Sequence, residues 1–187
     1  MRQPALVPYR RRAVALAEGR VLELGVGAGM NLPHYGRRAV QVIGLDPSSR
    51  LLEMAEQARR DREGAQLIRS SAEGIPLEDQ SIDTVVTTWT LCSIPDVARA
   101  LIEVRRILKP SGQIVFVEHG LSPEPRVRRW QDRLTPVWRR LAGGCHLNRP
   151  IERLIEDAGF RVEQLETGYM PGLKPMTFMY EGRARRA

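Results

Sequence analysis

Residues 21–31 read VLELGVGAGMN, and fifteen residues further on the stretch VIGLDPSS presents Asp46. An apolar run that enters a glycine-rich turn is a strand end built to bring backbone close to a ligand. The spacing narrows the ligand. A phosphate loop needs a lysine and a hydroxyl after its last glycine, and Met30-Asn31 supplies neither. A dinucleotide turn has the form G-x-G-x-x-G; here Gly25, Gly27 and Gly29 give G-x-G-x-G, with Met30 where the third glycine of that form would fall. An acid, Glu23, stands just before the turn. The whole pattern, E-L-G-x-G-x-G, fits a cofactor without a pyrophosphate. Asp46 closes the next apolar run, where a carboxylate can take both hydroxyls of a ribose.

Outward from this turn, strand and helix signals alternate. Residues 20–26, 41–45, 66–69, 82–88, 113–118, 161–167 and 176–180 read as strands. Residues 48–60, with Ser48 or Ser49 as cap, 97–108, 125–141 and 149–158 read as helices. The alternation predicts an α/β fold, a doubly wound and mostly parallel seven-stranded sheet with helices on both faces. The two closing runs have no good helix between them, which predicts an antiparallel last strand. The terminal GRARRA reads as a frayed tail.

In this order of motifs the sequence resembles the class I S-adenosylmethionine-dependent methyltransferases over nearly its whole length. VLELGVGAG is similar to their first motif and GLDPS to their second. SAEGIPLEDQSIDTVV resembles the third and fourth, and ILKPSGQIVFVEHG the segment around the fifth strand. The resemblance implies S-adenosyl-L-methionine as cofactor. It places Gly25, Gly27 and Gly29 against the methionine part, Asp46 on the ribose with Pro47 and Ser48 beside it, and Ser71, Ala72 and Glu73 at the adenine. Ser71 stands where the family carries an aspartate, so its bond to the adenine amine is the weaker one. Glu23, Val26, Asn31 and Thr88 complete the expected cofactor site. In the second half, TLCSIPD, VFVEHG and GCHLNRPIERLIEDAGF resemble the microsomal alkyl-thiol methyltransferases of the methyltransferase-like group and their bacterial "type 11" relatives. The first half is also similar to phospholipid N-methyltransferases and quinone-pathway C-methyltransferases. The implied reaction is methyl transfer to a small-molecule acceptor, a thiol preferred, with a lipid amine or quinone ring as the alternative.

Methyl transfer from a sulfonium is a direct displacement, so the protein chiefly aligns the nucleophile. A thiol must also lose its proton. The candidates stand at strand carboxyl ends. Glu118 and His119 end the fifth strand, with His119 expected to ready the acceptor, and His146 lies in the turn GGCHLN. Cys92 reads as a small packed residue. With Cys145 it makes neither a disulfide framework nor a metal-ligand cluster, so no metal is expected.

The 187 residues suit a single domain, 1–187, and the apolar and charged shares of 42% and 27% are ordinary for a globular chain. No apolar run approaches the ~18 residues of a membrane-spanning helix. The start, MRQPALVPYRRRAVALAEG, is broken by prolines and arginines and reads neither as a signal peptide nor as the apolar anchor of the microsomal enzymes. The expectation is a cytoplasmic protein. Its net charge of +7 is unevenly spread: residues 121–149 hold seven arginines against Glu124 and Asp132, and residues 1–12 hold four arginines and no acid. In helix 125–141, Trp130, Leu134, Trp138 and Leu141 read as a core stripe with the arginines solvated. The sharper alternative is a substrate-capping element resting on anionic membrane. Nucleic acid is not an expected partner: the fourth strand ends TTWTLCS, without the Asn/Asp-Pro-Pro-aromatic motif of many enzymes that methylate nucleic-acid amino groups. The sequence carries no signal for oligomeric state.

Overall fold

The apolar runs become seven strands of one sheet in the computed structural model, which describes residues 4–60 and 64–187. The strands are β1 (Gly19–Leu24), β2 (Ala39–Asp46), β3 (Ala65–Arg69), β4 (Ile82–Thr88), β5 (Leu108–His119), β6 (Phe160–Tyr169) and β7 (Phe178–Arg186). Their order is β3-β2-β1-β4-β5-β7-β6. Pairing is parallel from β3 through β5. Strand β7 slots between β5 and β6 and runs antiparallel to both, the antiparallel last strand that the sequence predicts.

Parallel strands are covered on both faces, so alternate residues feed two cores. Leu22, Leu24 and Val85 pack with Leu101 and Val104 of α3 (Val97–Ile107) and Ile151 and Ile155 of α5 (Ile151–Asp157). Val21, Val86 and Val117 pack with Ala13 and Val14 of α1 (Val7–Ala15) and Leu52 and Ala58 of α2 (Ser49–Arg60). Each fully buried leucine, valine or isoleucine among them contributes roughly 1.5–3 kcal/mol on leaving water. The Ser48 hydroxyl caps α2 by accepting from Leu51 N at 3.3 Å, and Asp96 caps α3 by accepting from Arg99 N at 3.0 Å. Among the described residues no helix is long and apolar enough to cross a membrane.

Four expectations need correction. Helix α1 has no counterpart in the sequence reading. Three successive arginines and Pro8 dilute its pattern, and Arg10 points inward, only 5% exposed. Arg2, one of the four arginines of the start, lies outside the described residues. The tail is not frayed: residues through Arg186 belong to β7. Ala184 is fully buried, and Arg183 and Arg185 lie outward against Glu163 at 3.7 and 3.3 Å. The segment expected as a strand from residue 176 begins instead as a short helix, α6 (Lys174–Thr177). In α4 (Pro125–Leu141) the inward residues are Val127, Gln131 and Thr135, whereas Trp130 and Leu141 are 55% and 78% exposed. Hydropathy misplaces the face because Gln131 is polar yet needed inside. Its amide accepts from Ser122 N at 2.9 Å and donates to the carbonyls of Gly120 and Pro175. Only Leu134 and Trp138 of the expected stripe turn toward the small core around Cys92, Cys145 and Leu147.

Candidate active site

Strand order reverses between β1 and β4, and a crevice opens where such strands end. A cavity of about 1040 Å³ fills it. At one end lies the glycine turn. Gly25 has φ +71°, and a Cβ there would stand 2.4 Å from Thr90 Cγ2; Gly27 has φ +55°, and a Cβ there would meet Gly25 O at 4.0 Å. Asp46 holds this turn in shape. Its Oδ2 accepts from Gly27 N at 3.0 Å and its Oδ1 from Ser48 N at 2.9 Å. A carboxylate has about four lone-pair sites, so capacity remains toward the cavity.

Glu23, Gly25, Val26 and Gly27 of the expected cofactor set line this cavity, as do Asp46, Pro47 and Ser48. Ser71, Ala72 and Thr88 line it too. Gly29, Asn31 and Glu73 stand behind it. Gly29 packs on α2, where a Cβ would meet Ala58 Cβ at 3.0 Å. Glu73 Oε1 accepts from Asp96 N at 2.7 Å, bracing the start of α3, and the Ser71 hydroxyl donates to its Oε2 at 3.2 Å. Asn31 is fully buried. Its amide donates to Glu23 Oε1 at 2.9 Å and to Thr88 Oγ1 at 3.0 Å, while its Oδ1 accepts from Arg10 at 2.8 Å.

Glu23 also accepts from the Tyr35 hydroxyl at 3.0 Å. Burial nevertheless pushes its carboxyl up to about 7, with Tyr35, Asn31 and Arg10 pulling the other way. A carboxyl raised in the fold adds stability below its unfolded value and loses it as pH climbs through the folded one. Glu23→Gln should therefore match wild type near pH 4.5 and exceed it above pH 7, by up to about 3 kcal/mol from a rise of 4.5 to about 7. Denaturant midpoints across that range check this; parallel pH profiles would show that Glu23 does not titrate inside the fold.

The opposite end of the cavity holds chemistry that the sequence did not group. Cys92 follows β4, His119 ends β5, and Cys145 follows the Gly143-Gly144 turn beyond α4; all three line the cavity. His119 Nε2 lies 3.1 Å from Cys145 Sγ. The imidazole nitrogen expected to face an acceptor thus already faces a cysteine. The donor atoms of all three residues lie within 4.8 Å of one another, which corrects the expectation that the cysteines form no cluster. A hydrogen bond from Cys92, helped by His119, draws Cys145 down, and that bond together with burial pushes Cys92 up.

Two residues expected to act on the acceptor are placed otherwise. Glu118 is fully buried, its carboxyl raised by that burial. Its Oε1 accepts from Thr87 Oγ1 at 2.7 Å, Thr90 N at 3.0 Å and Leu91 N at 3.2 Å. The His146 ring and backbone both turn to the carbonyl of Cys92, with Nδ1 at 3.1 Å and N at 2.8 Å. Both residues shape the loop that carries Cys92. Arg149, which the sequence reading passed over, does the same from a buried position, donating to the carbonyls of Leu91 and Ile94. Trp89 was also missed. It takes a left-handed φ of +53°, with the Arg10 guanidinium 4.9 Å from its ring centre.

Comparison with known proteins agrees with this geometry. Residues 22–116 match the family described as a methyltransferase domain. The thiol S-methyltransferase TMT1B of Rattus norvegicus is 36% identical over 151 residues, covering 78% of this chain and 62% of the rat protein. The chain thus spans just under two thirds of that relative's length. The phosphatidylethanolamine N-methyltransferase of Cereibacter sphaeroides is 31% identical over 170 residues, 88% of this chain and 82% of that protein. Among solved structures, an S-adenosylmethionine dependent methyltransferase from Mesorhizobium loti superposes with a TM-score of 0.70 at 24% identity, covering 97% of this chain and 98% of that one. This last likeness is one of fold.

Proposed function

The chain belongs to the class I S-adenosylmethionine-dependent methyltransferases, and from that premise we propose that it methylates a small-molecule thiol. The observation that carries the proposal is the single cavity running from Gly27 and Asp46 to Cys92, His119 and Cys145. At about 1040 Å³, it sits at the upper end of the roughly 300–1,000 Å³ of ligand pockets, with room for a cofactor and a small acceptor together.

The cofactor end fits S-adenosyl-L-methionine on two counts. Gly27, left-handed at φ +55°, lines the cavity without a side chain, and Asp46 offers a fixed carboxylate. Gly25 and Gly27 would approach the methionine part, Asp46 the ribose, and Ser71 and Ala72 the adenine. The bound cofactor supplies an activated methyl group. The chain's own task is to hold the acceptor in line and exclude water. Trp138, Leu147 and Met176 give the acceptor end an apolar wall, and the His119–Cys145 corner is the polar point where a sulfur would rest. The relative acting on thiols supports this assignment.

The test is a competition. S-adenosylmethionine labelled in its methyl group is given to the protein with a short-chain thiol, phosphatidylethanolamine vesicles and a quinol together. The label is expected in the thioether; label in the lipid or the quinol would overturn the thiol reading.

A second reading, a lipid acceptor, is favoured by one surface. Trp130, Val137, Leu141 and Leu173 are exposed, between 55% and 78%, on or beside an α4 that also displays Arg129, Arg133 and Arg140. Leu173 also lines the cavity. This is the composition of a peripheral contact with anionic lipid at a cytoplasmic membrane face. On this reading, replacing Arg129, Arg133 and Arg140 by glutamine should abolish vesicle pelleting at low salt, and wild-type pelleting should fade as salt rises. Equal pelleting of both proteins would leave the arginines as a solvated face.

A further inference from the structure

We propose that Cys92, His119 and Cys145 form a zinc site whose open fourth position takes the acceptor thiol; the second half of this statement rests on the thiol reading above. Three observations carry it. The first is geometry. Zinc held at about 2.3 Å from sulfur and 2.0–2.1 Å from nitrogen sets tetrahedral ligand atoms about 3.5–3.8 Å apart. The three donor atoms here already lie within 4.8 Å of one another, with His119 Nε2 at 3.1 Å from Cys145 Sγ. Side-chain adjustments of about 1 Å or less complete the arrangement.

The second is the support behind the ligands. The Cys92 loop is held from three directions: Glu118 accepts from Thr90 N and Leu91 N, Arg149 donates to the carbonyls of Leu91 and Ile94, and His146 faces the carbonyl of Cys92. Glu118 also ties that loop to the strand end carrying His119, so two ligands share one brace. Cys145 is set by Gly143 and Gly144, both left-handed at φ +59° and +86°. Ligands held rigidly by buried neighbours are what a metal site needs.

The third is the open side. A structural zinc site closes with four protein ligands, whereas a catalytic one keeps three and a vacant position. The three residues face the cavity shared with Asp46. Two thiolates and an imidazole suit zinc's borderline-soft character, and the thiolates balance its charge. A thiol bound there is held as a thiolate, its proton passing to solvent. As its sulfur attacks, the new sulfur–carbon bond forms while the methyl–sulfonium bond breaks, and that electron pair passes to the cofactor sulfur. The product thioether is neutral, a weaker zinc ligand than the thiolate it replaces, and departs.

The experiment uses reduced, chelator-stripped full-length protein loaded with Zn²⁺ or, separately, Co²⁺. One zinc per chain is expected by atomic spectrometry. Cobalt should give thiolate-to-metal charge-transfer bands and the visible bands of a tetrahedral ion. Cys92→Ser, Cys145→Ser and His119→Ala should each weaken zinc binding at least about tenfold; His34→Ala should not. Zinc uptake undiminished in Cys145→Ser, a Cys92–Cys145 disulfide forming in place of metal uptake, or a wild-type cobalt spectrum without thiolate bands would overturn the site, and the last needs no variant to fold. A short-chain thiol should then shift the visible cobalt bands. A metal that binds through the cysteines while the thiol leaves its spectrum unchanged would keep the zinc site and overturn the thiol at its fourth position.

Discussion

Replacing Asp46 with alanine is expected to weaken S-adenosylmethionine binding by roughly 1.5–3 kcal/mol, about 10- to 150-fold, the worth of charge-assisted hydrogen bonds to a ribose. The structure adds a second effect. The same carboxylate accepts from Gly27 N and Ser48 N and is only 6% exposed. Alanine leaves both amides without an acceptor, so the unliganded protein should also lose about 1–2 kcal/mol of stability. Asp46→Asn keeps one acceptor oxygen and should fall between the two in both respects. Calorimetry for affinity and denaturant unfolding for stability separate the contributions. Unchanged affinity in a folded alanine variant would remove Asp46 from the cofactor site.

Glu118→Ala is the largest expected loss of stability, about 3–5 kcal/mol, the scale on which removing one member of a buried charged or hydrogen-bonded set destabilises a fold. Three donors meet one oxygen there, from Thr87, Thr90 and Leu91. Alanine strands all three and opens a void beneath the Cys92 loop. Glu118→Gln retains an oxygen for the same donors and should cost far less. Urea midpoints of the two variants give the comparison. Equal losses would mean that the volume of the side chain matters and its oxygen does not.

The glycine-turn half of the candidate site was legible because it is local. The turn from Gly25 to Gly29 is one stretch of chain, and Asp46 follows at the end of the next strand. The apolar runs that become β1, β2 and β4 were legible for a related reason, since a strand buried on both faces has no polar alternation to obscure it. The half around His119 depends on topology. Cys145 lies 26 residues beyond His119, and sheet order and the α4 turn bring them together with Cys92. Each was visible near the end of an element, but nothing in the spacing says that their side chains converge. Glu118 and His146 stand where the sequence placed them, but their side chains turn to the loop that carries Cys92; a carboxylate or imidazole beside a crevice looks the same in sequence whether it faces the ligand or the loop behind it. Helix α1 and the inward face of α4 were missed where Arg10 and Gln131 enter the interior by satisfying buried partners, which hydropathy scores as exposure.

The central claim is that the cofactor and a thiol acceptor meet in one cavity, with the acceptor sulfur at His119 and Cys145. Its most direct measurement is turnover of a short-chain thiol by wild type and His119→Ala, with the dissociation constant for S-adenosylmethionine determined alongside. Wild type should methylate the thiol and leave the alcohol of the same chain length untouched, and His119→Ala should lower turnover at least about tenfold with cofactor affinity little changed. Wild-type turnover in His119→Ala, or a wild type that binds the cofactor and methylates no thiol, would contradict it.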